Sequence, residues 1–469
     1  MPAEPPAAHD PAATASPPDL SRPRRIHVVG VGGAGMSAIA SVLAAMGHTV
    51  TGSDLRGSPV VARLESEGVT VSIGHRAEHV GSADLVTFSP AVGADNPELA
   101  EAARRGVAVV RRAEVLAAIA AARRCLAVAG THGKTTTCSM LSLILVEAGL
   151  RPSFLIGADV TGIGTNAVWD TGEWLVLEAD ESYGTFRAIR PEVAVVTNVE
   201  PDHLDHYKTF EALAEAFGGF LAAASGGRLV GADDPVAADL GARAGAAGVG
   251  LSEGAAWRMS ALELSRSAVG FDLAGPGGPL GRIEVPVPGA HNARNAAMAT
   301  AAALLAGAPF AAAVAALGRF AGAPRRFEFR GESGGVTFVD DYAHLPTEVR
   351  AALAAARAGG WRRVVAVFQP HRYTRTAALA DAFGPAFADA DAVVVTDVYG
   401  AGEPPVPGVS GKLVADAVAR DNPSVPVLYA AARDELRRSV ADLLEPGDLC
   451  LTLGAGDLTT LPDELAAGR

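Results

Sequence analysis

Cysteine is scarce: Cys125, Cys138 and Cys450 are the only three in 469 residues. They are too few and too scattered for a disulfide framework or a closed zinc site. No unbroken apolar run of about 18 residues occurs, which argues against a membrane-spanning helix and for no membrane insertion. Aromatic residues are only 5% although hydrophobic residues reach 49%, a soluble, helix-rich composition built on alanine and aliphatic side chains. Positive charge is also short. Lys and Arg number 39 against 52 Asp and Glu, a formal net charge of −13. No general cationic surface exists to hold nucleic acid by counterion release. Any anionic ligand must be held locally, by backbone amides and a few placed cations. The stretch Met1–Ser21 is rich in Pro and Ala and has no apolar core of a signal peptide. It is expected to be a disordered tail, and the compartment expected is the cytoplasm.

What the chain does have is alternation of short β-branched runs with helical patterns, the mark of a parallel α/β architecture. Arg25–Gly30 reads as a strand, followed by a glycine-rich turn, an apolar helix (Ser37–Met46) and a second strand (Thr49–Ser53). A new strand, turn and helix begin at Cys125, with further strands at Leu175–Glu178 and Val193–Thr197. Between Arg258 and Val287 the pattern becomes short alternating pieces, as in antiparallel strands, and a long Ala-rich helix follows from Asn292 to Leu305. A third alternation starts at Val336 and continues to Leu453. A chain of this length suggests about three domains. The expected division is a tail over 1–21 and domains over 22–121, 122–322 and 323–469.

Several motifs carry chemistry. Gly30, Gly32, Gly33 and Gly35 lie in a G-x-G-x-x-G pattern after a strand and opening a helix. Glycines let backbone approach a diphosphate, and the helix start offers free N–H groups. Asp54, 19 residues past Gly35 and at the end of the second strand, is placed to take a ribose hydroxyl. On this motif alone a nicotinamide-dependent dehydrogenase is open. A second turn, Gly130-Thr131-His132-Gly133-Lys134-Thr135, has the parts of a P-loop although Val128 stands where its first Gly would be. Its amides would cradle phosphates, Lys134 would reach the β and γ oxygens, and Thr135 would ligate Mg²⁺. Lys134 is expected to point at ligand, so that replacing it disturbs folding little. Two phosphate-cradling turns weaken the dehydrogenase reading.

Acidic residues follow the next strands. Glu178, Asp180 and Glu181 are spaced for Mg²⁺, and Asp202, His203, Asp205 and His206 suggest a metal or substrate edge. Zinc is disfavoured because no Cys lies nearby. At the Ala-rich helix, Asn292 reads as an N-cap or an adenine contact, and Asn295 as an adenine contact. The third alternation carries Arg325-Arg326, Asp340-Asp341-Tyr342-Ala343-His344 and Gln369-Pro370-His371-Arg372-Tyr373-Thr374-Arg375, each beside a strand end. Arginine forks suit phosphate and carboxylate. Surface salt bridging is the plain alternative for any one of them.

Together HVVGVGGAGMSAIA, AGTHGKTTT, EADES, TNVEPDHLDHY, PGAHNARNAAMA, DDYAHLPTEV, VFQPHRYTRT, DVYGAGE and GAGD, in this order from Ile26 to Asp457, resemble the Mur ligase family. The resemblance implies three domains: an N-terminal Rossmann-like, a central P-loop ATPase-like and a C-terminal Rossmann-like one. It implies ATP-dependent joining of L-alanine to UDP-N-acetylmuramate through an acyl phosphate, with Mg²⁺ as cofactor. By the same matching, Gly130, Thr131, His132, Gly133, Lys134, Thr135, Thr136, Asn292, Asn295 and Arg326 would bind ATP. Thr135, Glu178 and His203 would hold the metal. Tyr342, His344, Arg372 and Arg375 would surround the amino acid, with Lys134, His203, His344, Arg372 and Arg375 catalytic. The glycines of the first turn and Asp54 would hold the UDP-sugar. Two positions depart from the family pattern: Leu345 stands where a second His is common, and Tyr183 where an Asp is common. A tripeptide-adding ligase of the same family, a folylpolyglutamate synthase and a degenerate ATP-binding regulator are the alternatives.

Overall fold

Short β-branched runs that end at glycine or a polar loop, each followed by an Ala- and Leu-rich stretch, need a crossover helix to return to a parallel neighbour. The computed structural model, which describes residues 17–89 and 91–467, has this pattern in two compact units, Met1–Trp257 with Met298–Ala313 and Arg258–Ala297 with Val314–Arg469. In the first unit β1 (Arg25–Val29), β2 (Thr49–Asp54), β3 (Thr70–Ile73), β4 (Leu85–Phe88) and β5 (Ala108–Arg111) form a parallel sheet in the order β3-β2-β1-β4-β5. The order reverses at β1, and the helix Ala34–Ala45 begins just past its carboxyl end. Open α/β sheets bind ligands at such a point.

The same unit holds β6 (Arg124–Ala129), β7 (Ser153–Leu155), β8 (Ala167–Val168), β9 (Trp174–Glu178), β10 (Val193–Val196), β11 (Arg228–Gly231) and β12 (Ala247–Gly250). They run β12-β11-β10-β6-β9-β7-β8, parallel except where β8 turns back on β7. Again the order reverses, at β6, and the helix Lys134–Glu147 follows it. One apolar cluster extends from Leu20 and Ile26 through Cys125 to Leu240. Apolar residues of the first two expected domains thus pack in one cluster within this unit. Of the tail expected over 1–21, residues 1–16 lie outside the described residues, and Leu20 is packed into this core instead of being free.

The second unit contains the antiparallel meander β13 (Trp257–Leu264), β14 (Val269–Gly275) and β15 (Gly278–Val285). Its main sheet is built from β16 (Glu328–Ser333), β17 (Val336–Asp341), β18 (Arg363–Phe368), β19 (Ala392–Val395), β20 (Val427–Tyr429) and β21 (Asp448–Leu453), in the order β16-β17-β21-β18-β19-β20. β16 was not anticipated. It pairs antiparallel with β17 through a two-residue turn, Gly334-Gly335, with φ of 59° and 75°, the conformation that a tight hairpin demands. The Ala-rich helix starts at Ala290, so Asn292 lies inside it and is not its N-cap.

Phe186, Phe217 and Phe220 are fully buried in the first unit, the first two edge-to-face at 5.1 Å and Phe186 stacked on Phe220 at 5.4 Å. Phe217→Ala should leave a cavity costing about 3–5 kcal/mol. Thermal unfolding should show this as a lowered Tm, and an unchanged Tm would mean that this aromatic cluster does not support the unit.

Candidate active site

In the first turn, Gly30 takes φ +75°, and the amides of Gly30 and Val31 both donate to the Ser53 carbonyl, at 2.8 and 3.0 Å. Gly32 N–H donates to Asp54 Oδ2 at 2.9 Å, and Arg56 N–H to Asp54 Oδ1 at 3.3 Å. Asp54 thus braces the turn, a role the sequence did not suggest alongside the ribose contact. Ser53 is held in turn, its hydroxyl donating to Glu98 Oε2 at 2.6 Å. Glu98 is fully buried, with His75 Nδ1 at 3.2 Å, His79 Nδ1 at 3.0 Å and His27 Nε2 at 3.7 Å. Burial alone would raise its pKa, but His27, the Ser53 hydroxyl and His79 outweigh that and hold it down at about 2.

The second turn is clamped by the end of β10. Gly130 has φ +138°, and a Cβ there would collide with Thr197 Oγ1. His132 gives its amide to Asn198 Oδ1 at 2.8 Å, its carbonyl accepts from Thr197 Oγ1 at 2.6 Å, and its ring meets Glu200 at 3.1 Å. Thr131 N–H donates to the Asn198 carbonyl, and Gly133 caps the helix at φ +78°. Thr136 is buried within that helix. Lys134 Nζ donates to both carboxylate oxygens of Glu181, at 2.8 and 2.9 Å, and to the Gly130 carbonyl at 2.6 Å. Burial pulls its ammonium pKa down, but Glu181, Asp180 and Glu178 outweigh this and hold it above the ordinary lysine value. Lys134 is therefore a partner in a buried ion pair. The expectation that folding is indifferent to it is corrected on that ground.

The expected metal residues fall into two adjoining groups. Thr135 Oγ1 donates to Glu178 Oε1 at 3.0 Å, while Glu178 Oε2 accepts the Gly157 amide at 2.7 Å. His203 instead gathers with Asp180 and Glu181, one ligand atom from each lying within 4.8 Å of the others. Its ring is 3.2 Å from Ser182 Oγ. Hydroxyl and carboxylate oxygens of this kind suit a hard divalent cation. The Tyr183 side chain is outside what the structure describes.

In the second unit, Asn292 is buried and its amide nitrogen donates to the Pro288 carbonyl at 2.7 Å. Asn295 is buried one turn on. Burial, then Arg326 and Arg294, lowers the pKa of the neighbouring His291 to about 4. Arg326 lies 3.8 Å from Glu348 Oε1 and over the Tyr342 ring at 5.2 Å. Glu348 accepts the amides of His344 and Leu345 at 2.9 and 3.2 Å. Tyr342, His344, His371 and Tyr399 form a continuous row of rings, with centroids 5.3, 5.6 and 5.7 Å apart. Arg375 Nη1 donates to His371 Nδ1 at 3.2 Å, which fits the neutral tautomer with its proton on Nε2. Burial, followed by His344, Arg375 and Arg372, keeps His371 neutral, its pKa lowered to about 4. Arg372 is held at φ +69°, and its Nε is buried without a hydrogen bond among the described residues. A planar donor fork left in this state is suited to an anion.

Three family models match in series. The Mur ligase family catalytic domain covers residues 25–124, the Mur ligase middle domain 128–303, and the Mur ligase glutamate ligase domain 325–456. A UDP-N-acetylmuramate–L-alanine ligase of Anaeromyxobacter sp. (strain Fw109-5) is 46% identical over 453 residues, covering 95% of this chain and 98% of that protein. The chain belongs to the Mur ligase family. The enzyme of the same name from Saccharopolyspora erythraea is 48% identical over 458 residues, covering 94% and 93%. Among solved structures, the UDP-N-acetylmuramate–alanine ligase of Thermotoga maritima matches with a TM-score of 0.77 at 27% identity, over 95% of this chain and 99% of that one. A murein peptide ligase from Psychrobacter arcticus matches at 0.66 and 26%, over 95% and 98%.

One residue of this Mur ligase escaped the sequence reading, as did the role of a second. Glu348 stands three residues after Leu345, the place from which an acidic side chain reaches back to the start of a helix, and that spacing was the available signal. Glu181 was visible within the acidic group, but nothing local marks it as the partner of Lys134, 47 residues earlier.

Lys134→Met should leave Glu181 and Asp180 buried without their cation, at a cost of about 3–5 kcal/mol. It should lower the Tm, with part of the loss restored by adding Glu181→Gln. A Tm unchanged by Lys134→Met would show that the pair does not form. His291 supplies a pH test. Its folded pKa of about 4 lies below the ordinary value near 6.5. Between those values the unfolded chain binds the extra proton, so stability falls as pH drops from about 6.5 to 4. Urea titrations should give His291→Gln a shallower fall, by roughly 1–3 kcal/mol across that window. Parallel curves would place a protonated His291 in the folded state.

Proposed function

We propose that the chain joins L-alanine to the lactyl carboxylate of UDP-N-acetylmuramate in the cytoplasm, using ATP and Mg²⁺, for peptidoglycan precursor synthesis. The observation that carries this is the likeness, over nearly its whole length, to relatives named for that reaction. We assign the UDP-sugar to a domain over 22–121, ATP to 122–322, and the acceptor to 323–469. A carboxylate does not acylate an amine at neutral pH because oxide is a poor leaving group. Transfer of the γ-phosphoryl group to the carboxylate oxygen gives an acyl phosphate and ADP. The amine of alanine then attacks the carbonyl carbon, phosphate departs, and the ammonium proton is lost. Such chemistry needs positioning and charge neutralisation above all.

Within this reading Gly30, Gly32, Gly33 and Gly35 admit the sugar nucleotide's diphosphate, with Asp54 keeping the turn in shape. The Gly130–Thr136 turn cradles ATP, and Lys134 exchanges Glu181 for the γ-phosphate. Thr135, Glu178 and His203 would hold Mg²⁺, which would supply charge neutralisation, and Asp180 and Glu181 adjoin His203. Asn292, Asn295 and Arg326 contact ATP. Tyr342, His344, Arg372 and Arg375 hold alanine and the acyl phosphate, and the buried Nε of Arg372 supports its assignment to an anion.

The test is phosphate release with UDP-N-acetylmuramate while the acceptor is varied among L-alanine, glycine, L-serine and a tripeptide. L-Alanine should be preferred; preference for the tripeptide would indicate the recycling ligase instead, and no release with any acceptor would indicate an ATP-binding regulator. Arg372→Ala should raise the KM for L-alanine by about 10-fold or more and leave that for UDP-N-acetylmuramate nearly unchanged. An unchanged alanine KM and turnover would remove Arg372 from the acceptor site.

A further inference from the structure

Arg112 follows β5 and opens the helix Arg112–Ala121. Its guanidinium lies on the first glycine turn. A Cβ built on Gly35 would sit 2.7 Å from Arg112 Cζ and 2.8 and 3.1 Å from its two terminal nitrogens. Gly35 is in the first turn of the helix Ala34–Ala45. The amides there have no carbonyl four residues back within the helix, and the positive end of the helix dipole faces out. An anion is favoured at this end of a helix, yet a cation has been brought to it.

That cation is not taken up by a carboxylate or carbonyl among the described residues. Arg112 Nε is buried without a hydrogen bond, and among the described residues the guanidinium makes no hydrogen bond or ion pair. Its charge acts on Asp180 only through space. The Nε atoms of Arg63 and Arg123 in the same unit are likewise buried without a hydrogen bond, but the rest of those side chains is engaged, Arg63 with Asp159 and Asn166 and Arg123 over the Trp169 ring, as is Arg228 with the carbonyls of Leu221 and Ala224. A donor fork and a helix N-terminus thus meet at one glycine, and both select an anion with several oxygens. Gly35 gains a reason beyond helix packing, because any side chain there would push the fork away.

We propose that Arg112 is a substrate-binding residue of this ligase, its guanidinium gripping the diphosphate that the Gly30–Gly35 turn cradles. This rests on the assignment of the UDP-sugar to that turn. The experiment is calorimetric titration of the full-length enzyme with UDP, which carries a diphosphate but no lactyl carboxylate, and with UDP-N-acetylmuramate. Arg112→Gln should weaken both by about 10- to 100-fold, as expected for a lost charge-assisted contact, with the KM for ATP within about twofold of its starting value. Arg112→Lys should recover part of the loss, since it restores charge without the planar fork. Gly35→Ala should act through the same contact, so that Gly35→Ala combined with Arg112→Gln binds no worse than the weaker single variant.

UDP affinity within twofold of the parent in Arg112→Gln would overturn the proposal, and weakening confined to UDP-N-acetylmuramate would do so by moving the guanidinium to the sugar's carboxylate. An equal rise in the KM for ATP would reduce Arg112 to a structural residue. Gly32→Val separates the two levels of inference. If it leaves UDP binding unchanged, the nucleotide-sugar assignment falls and the clamp with it. If it weakens UDP binding while Arg112→Gln does not, the clamp alone falls.

Discussion

A chain with a formal net charge of −13 that handles phosphate esters must ration its cations, and their placement governs both turns. Lys134 shows the consequence most directly. It is sunk among Glu181, Asp180 and Glu178, where its charge helps hold the Asp180 carboxyl below its ordinary pKa against burial. A buried pair of this sort adds little net stability over apolar residues, but loss of one member is costly. It keeps an ammonium at the Gly130 turn, where its Nζ also donates to the Gly130 carbonyl. The backbone supplies the rest: amides at two helix starts carry partial positive charge that needs no titratable group.

Holding those groups at strand ends requires backbone that ordinary residues avoid. His203, Arg325, Phe327 and Arg372 all have positive φ, between 49° and 69°. Each such residue costs on the order of 1–3 kcal/mol and persists only where its surroundings over-determine it. Here they do. Phe327 N–H donates to Asp341, Arg325 reaches the Gly454 carbonyl and Asp340, and Arg372 N–H donates to the Tyr399 carbonyl. Asp341 is the centre of one such brace, its two oxygens taking the amides of Phe327 and Ala343. Burial pushes its pKa up to about 6 even against Arg326 and these amides. Four further non-glycine residues, Arg151, Lys208, Ala261 and Ala401, also have positive φ, so this backbone is not confined to the candidate site.

The parallel α/β pattern was legible because each strand is a compact β-branched run ending in glycine or a polar loop. The glycine turns were legible because their spacing is a mechanical requirement. What stayed hidden depends on distance along the chain. The Lys134–Glu181 pair, the Thr197 and Asn198 clamp on His132 and the bracing of Gly32 by Asp54 are contacts between strand ends, and no local spacing announces them. β16 was missed for another reason. No alternation marks it in the sequence, and the two-residue turn to β17 reveals a hairpin. The shared core of the first unit was likewise invisible, since apolar residues of two sheets carry no mark of belonging to one cluster.

Leu345, a departure from the family pattern, is accommodated by apolar packing and by its own backbone. The side chain at this position is 4% exposed, and its amide donates to Glu348. An imidazole in the same place would need a hydrogen-bond partner in a buried setting, or would lose free energy on burial. Leucine needs none. What the site takes from residue 345 is its backbone N–H, which helps fix Glu348, and any residue but proline supplies that. Glu348 then orients the His344 amide and adjoins Arg326. His344 and Arg326 are therefore tied to a carboxylate that is present, without the second imidazole that is absent.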